Sequence, residues 1–298
     1  ADLVVRFKKE STRIELECEI INEHAKELSL LLEEAYAKHS RFIEICSQLS
    51  GQHDLVQSRG GNVSYKLNDK LIITSSGCKM SDVTFFSGNC VCNMHILPSY
   101  FEHDSFYRKR LSESKLFESV ERPSMETGVH SNLEGDILHT HPIHLNTILC
   151  SKEAKNIISE LFSELDYEFI PYCSPGVDLT NSIASYRQAE VYFLENHGLI
   201  VCSHDLNKAY DITTQINDAC KDWLVSRSSF FNKFVHPDTE YDGYVFPDAV
   251  ALSDDNKSVN TYILNTLDAL GLTPKFLSDS EISELRNMGS EMYRKQLS

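Results

Sequence analysis

A single α/β domain is the fold class this sequence predicts, on three observations. Short β-type segments, each ended by Gly, Ser or Asn, begin at Gly51; helix-forming segments alternate with them as far as about Arg227; no repeat or low-complexity tract interrupts the alternation. At 298 residues with 41% apolar content, the chain can fill a sizeable core.

The elements follow in order. Residues 13–49 are rich in helix formers, with apolar positions recurring at three and four residues, and predict one or two amphipathic helices. SRGGNVSYKL, KLIITSSG and NCVCNMHIL are strand candidates that open a sheet. Residues 102–122 mix acidic and basic side chains and read as a solvated loop and helix. A helix is expected to start near Pro123, with Ser124 as its cap-type residue and Glu126 in its first turn. Next come strand DILHTH, helix KEAKNIISELFSEL, strand EFIPYC, the turn SPG, strand VYFLENHGLIVC, and a long helix from Leu206 through about Arg227. The remainder, with FPDAVAL, SVNTYILNTLDALGL and SEISELRNMGSEMYRK, predicts one more strand and two closing helices.

Composition excludes some partners. With 44 acidic against 28 basic residues, the net charge of −16 repels a phosphate-rich polymer, so nucleic acid is not expected. A small anion can still bind where backbone N–H groups or a metal reverse the local potential. The nine cysteines lack paired metal-ligand spacing and read as reduced, buried thiols, Cys90 and Cys92 alternating as on a strand. No basic-then-apolar leader and no apolar run near the roughly 18 residues of a spanning helix occur, so a cytoplasmic protein without membrane partners is expected. The chain opens at Ala1, and what preceded it stays open.

His139 and His141 sit two apart on the strand ILHTH, where alternation points both to one face and Thr140 to the other. Neutral imidazoles so placed suit Zn²⁺, and a catalytic zinc takes three protein ligands. The candidate third is His197 in LENHGLIV, at a strand end before Gly198, with Glu126 as the acidic partner. Each alone has an ordinary structural explanation, and the combination carries the metal reading. His144 is expected on the opposite face or in the following loop, and His130 as a packing neighbour of Glu126 four residues on. A second constellation suits an anion: Gly60 and Gly61 before Asn62 and Ser64, the turn TSSG one strand later, and Ser124 at a helix start.

Taken together, RGGNVSYKL, ITSSG, RPSMET, HTHP, YCSPG and LENHGLIV resemble, in order, the class II aldolase/adducin family. The resemblance implies one domain over residues 1–298: a core at about 40–225, an N-terminal helical extension at 1–39, and a C-terminal strand and closing helices at 226–298. It implies a three-layer α/β/α fold with a central, mostly antiparallel sheet flanked by helices, assembled as a homotetramer. It also implies a metal-dependent aldolase similar to fuculose-phosphate aldolase. Such an enzyme cleaves a ketose 1-phosphate reversibly to dihydroxyacetone phosphate and an aldehyde. Its site carried over residue by residue has zinc on His139, His141 and His197, with Glu126 as acid/base and resting ligand. Phosphate would lie on Asn62, Ser76, Gly77 and Ser124. The short spacing from Glu126 to His139, and FPDAVAL, are more like the aldolase part of bifunctional rhamnulose-phosphate aldolase/dehydrogenases. The family's C-terminal tyrosine has only Tyr293 as a guess here. A sugar-phosphate dehydratase or epimerase on the same site, or a non-catalytic adducin-like module, are the alternatives.

Overall fold

The computed structural model describes residues 2–97, 104–116, 121–227, 243–250 and 254–288. The chain forms two compact units, Ala1–Arg41 and Phe42–Ser298. The first is carried by one long helix, α1 (Asp2–Ser50), where the sequence left one or two open. The last turns of α1 place Phe42, Ile45, Cys46 and Leu49 in the core of the second unit.

That second unit is built on seven strands: β1 (Asn62–Leu67), β2 (Lys70–Thr74), β3 (Asn89–Asn93), β4 (Asp136–Thr140), β5 (Tyr167–Ile170), β6 (Val191–Leu194) and β7 (Gly198–Ser203). They form one sheet in the order β3-β2-β1-β4-β7-β6-β5. Every neighbouring pair is antiparallel except β5 and β6, so the expected mostly antiparallel sheet is present. Its helices are α2 (Asp104–Glu113), α3 (Thr127–Asn132), α4 (Ile143–Leu149), α5 (Ala154–Leu161), α6 (Val177–Ile183), α7 (Leu206–Arg227), α8 (Pro247–Val250), α9 (Asp254–Leu270) and α10 (Asp279–Asn287).

Strand alternation divides the apolar side chains between the two faces. Leu138, Val191, Phe193, Leu199 and Val201 join α7 in one core, while Ile137, Tyr192, Leu194 and Ile200 pack with residues of α3 and α6 in another. Helices therefore cover both faces, which gives the three-layer arrangement. Both faces being buried, the central strands read as nearly continuous apolar runs. A third core joins α4 to α8 and α9 through Ile143, Phe246, Ala249 and Ile263.

Several expectations are corrected. FPDAVAL supplies the short helix α8, with Pro247 in its first position, where a missing N–H costs nothing. VYFLENHGLIVC is two strands, β6 and β7, joined by a turn at residues 195–197. Helix α6 follows the SPG turn, and α4 takes the segment around His144, a residue expected on the opposite strand face or in the following loop. The helix expected at Pro123 begins at Thr127. Eight cysteines among the described residues are free thiols, with Cys90 and Cys92 buried on β3 as the alternation required. No described helix is long and apolar enough to cross a membrane.

Candidate metal centre

Sheet register brings the site together from strands distant in sequence. Asn62 opens β1 directly opposite His139 of β4, which itself faces Ile200 of β7. Alternation puts His139 on the face of Ile137 and Ile200, the side covered by α3 and α6. Its Nδ1 lies 2.9 Å from the Leu199 carbonyl, which places the ring proton there and turns the Nε2 lone pair inward.

His141 stands one residue past β4, its backbone N–H donating to the Leu55 carbonyl at 3.0 Å. The two rings meet edge to face, with their Nε2 atoms 3.1 Å apart. His197 ends the β6–β7 turn. Before it, Asn196 has φ 54°, a left-handed conformation that asparagine tolerates. The Asn196 amide donates to the carbonyls of Val245 and Lys275, and the Asn146 amide of α4 donates to the His197 carbonyl at 3.1 Å. Gly198 follows because a Cβ there would lie 2.4 Å from the Thr140 carbonyl oxygen and 2.9 Å from His141 Cδ2.

The three imidazoles are buried, with donor atoms within 4.8 Å of one another. Glu126 is the N-cap residue of α3. Its Oε2 accepts from the Asn62 amide at 2.6 Å and lies 3.2 Å from His139 Nε2. Its Oε1 is 3.4 Å from His197 Nε2, with no hydrogen-bond partner among the described residues. Burial lowers the pKa of His139 and brings that of His197 down to about 3, so both rings are neutral at pH 7. Burial alone would raise Glu126, but its electrostatic interactions with His139 and His197, the hydrogen bond from the Asn62 amide and the interaction with His141 outweigh it and hold the carboxyl at about 2. Neutral imidazoles beside a carboxylate with an unpartnered oxygen fit a divalent metal ion.

Asn62, Ser76, Gly77 and Ser124 line one cleft with Glu126, His141 and His197, about 500 Å³ including its mouth. Asn62 is bonded to the carboxylate rather than left to an anion alone, and the Ser124 hydroxyl accepts from the Glu126 N–H at 3.3 Å. His144 sits in α4 against Asp54, 3.5 Å away, outside the triad. His130 is buried, its Nδ1 2.7 Å from Ser64 Oγ. Tyr293 lies outside the described residues. Sequence reasoning passed over two cleft residues. Arg59 donates to the Gly77 carbonyl, and Asp248 has Oδ2 2.9 Å from His141 Nδ1. Arg59 stands inside the quoted glycine stretch. Asp248 stands in FPDAVAL, where a strand reading gave its carboxylate no direction.

A family model described as the Class II Aldolase and Adducin N-terminal domain matches residues 40–224, more than half of the chain. An L-fuculose phosphate aldolase of Methanocaldococcus jannaschii is 28% identical over 178 residues, covering 57% of this chain and 86% of that protein. The uncharacterized oxidoreductase YuxG of Bacillus subtilis is 29% identical over 111 residues, covering 36% of this chain but only 16% of its own length. Among solved structures, the N-terminal class II aldolase domain of a conserved Thermoplasma acidophilum protein has a TM-score of 0.56 at 20% identity, over 62% of this chain and 92% of that one, a likeness of fold. With the family model spanning the sheet, the triad and Glu126, the chain belongs to the class II aldolase and adducin N-terminal domain family.

Proposed function

We propose that the chain is a metal-dependent aldolase that reversibly cleaves a ketose 1-phosphate to dihydroxyacetone phosphate and an aldehyde. One observation carries it: three buried imidazoles converge beside an ionised Glu126 in a cleft that also contains the candidate anion residues. In this reading His139, His141 and His197 hold Zn²⁺, with Glu126 as a further ligand at rest. The ion, when bound, supplies Lewis-acid stabilisation of the negative charge that C3–C4 cleavage leaves on the ketose oxygens.

The remaining work falls to the chain's own side chains. Glu126 exchanges the proton at C3, as base in condensation and as acid in cleavage. Asn62 keeps Oε2 of that carboxylate in place and links it to the anion residues. Ser76, Gly77, Ser124 and Asn62 hold the phosphate, so binding remote from the reacting bond fixes the orientation of the carbons. The reading includes the homotetramer that the family resemblance implies and the cytoplasmic location expected from the sequence.

The test is elemental analysis of protein purified without chelator, then incubation of metal-loaded protein with a panel of ketose 1-phosphates and an enzyme-coupled readout of dihydroxyacetone phosphate. About one divalent ion per chain and triose phosphate release are expected. Epimerised or dehydrated product instead would keep the site and change the reaction. A chain that takes up no Zn²⁺, Co²⁺ or Mn²⁺ sinks the reading in favour of a non-catalytic module.

A further inference from the structure

We infer that Asp248 orients His141 as a metal ligand, so that the metal centre is completed by a segment lying beyond the family-matched residues 40–224. The inference rests on the metal-dependent reading above. An imidazole that offers Nε2 to a metal carries its proton on Nδ1. An acceptor placed there sets the tautomer, aims the ring and makes the ligating nitrogen more basic. For His139 that acceptor is the Leu199 carbonyl at 2.9 Å, while His197 Nδ1 has none among the described residues. For His141 the group in position is a carboxylate: Asp248 Oδ2 lies 2.9 Å from Nδ1, a close ion-pair contact rather than an aligned hydrogen bond, with side chains only 6% and 8% exposed. A full negative charge is the stronger acceptor of the two kinds, and burying one is costly unless a polar partner meets it.

The contact is built into the fold from three directions. Asp248 sits on α8, whose neighbours Val245, Phe246 and Ala249 pack into the same core as Ile143 of α4, two residues after His141. The Val245 carbonyl accepts from the amide of Asn196, the residue before His197, so one short segment holds the surroundings of two triad members. Gly60 closes the third side. A Cβ there would come within 2.6 Å of Asp248 Oδ2 and 2.8 Å of His141 Nδ1, leaving no room for any other residue while the pair is formed. The first glycine of the SRGGN stretch is thus required by this contact rather than by its backbone conformation.

Zn²⁺ affinity, measured by competition with a chromogenic chelator, tests the inference, together with the visible absorption spectrum of the Co²⁺-substituted protein. Asp248→Asn is expected to weaken metal binding about 10–100-fold and to alter the Co²⁺ spectrum. Gly60→Ala, which leaves both partners chemically intact and crowds their contact, is expected to weaken it in the same direction, and it carries the test if Asp248→Asn does not fold. Asp54→Asn, at the Asp–His144 contact outside the triad, is expected to leave affinity unchanged. Wild-type affinity and spectrum in Asp248→Asn, or an equal loss in Asp54→Asn, would overturn the positioning role and leave the metal reading standing. A wild-type chain that binds no metal at all would remove both.

Discussion

In the proposed reaction Glu126 is the acid/base, and its surroundings explain how a fully buried carboxyl stays ionised. Burial works against the charge, and the imidazoles of His139 and His197 with the Asn62 amide more than offset it. Glu126→Gln keeps the size and the polar contacts but cannot take a proton, so turnover should fall about 10²–10⁴-fold while metal content holds. Loss of metal in step with activity would argue against an acid/base role. His139→Ala should instead strip the metal, read by elemental analysis. Gly198→Ala tests the close approach of the β6–β7 turn to β4: a methyl 2.4 Å from the Thr140 carbonyl should cost about 1–3 kcal/mol in denaturant unfolding of the metal-free protein.

Among the elements, α3 shows how a helix too short to stabilise itself is held so that its N-cap Glu126 lies against His139 and His197. It has only six residues, and its start is satisfied from outside: the Gly128 N–H donates to the Tyr107 hydroxyl of α2 at 2.8 Å, and that hydroxyl also meets Thr180 Oγ1 of α6 at 3.1 Å. Tyr107→Phe should therefore leave a buried N–H unmet and cost about 1–3 kcal/mol, measured by chemical denaturation, with a smaller loss of activity than Glu126→Gln. Unchanged stability would show that another group, or water, takes the hydroxyl's place. The elements that the sequence misplaced share this dependence on outside contacts. α4, α6 and α8 have seven, seven and four residues, too few for a helical period to stand out from an apolar run. The 22-residue α7, by contrast, was readable from Leu206 to Arg227 because its periodicity runs over many turns.

For the molecule as a whole, the buried histidines set the response to acid. Burial brings His130 and His197 down to about 3 from 6.5, so between those limits the unfolded chain binds protons that the folded one does not. Stability from this source is complete above pH 6.5 and is lost as the pH falls toward 3. Glu126, held at about 2 against an ordinary 4.5, acts with the same sign in a lower window, its contribution disappearing as the pH falls from 4.5 toward 2. The melting temperature of metal-free protein should fall steadily below pH 6.5, and a flat profile from pH 7 to pH 4 would contradict the burial of these rings. At neutral pH, Zn²⁺ at 100 times its dissociation constant should add about 2.7 kcal/mol by mass action.

The family resemblance implied that Asn62, Ser76, Gly77, Ser124, Glu126, His139, His141 and His197 form one candidate site, while local chemistry in the sequence determined the alternation of strands and helices, the positions of β1 to β3, the full length of α7, and the separate metal and anion constellations. Such features are legible because period, turn residues and motif spacing act over a few residues at a time. Tertiary structure alone decided that Asn62 bonds to Glu126, that β1 lies beside β4 in a register placing Asn62 opposite His139, and that Asp248 from the far end of the chain meets His141. Those contacts join residues 64, 77 and 107 positions apart, and their geometry comes from sheet register and from how helices pack over the sheet, which no local pattern encodes.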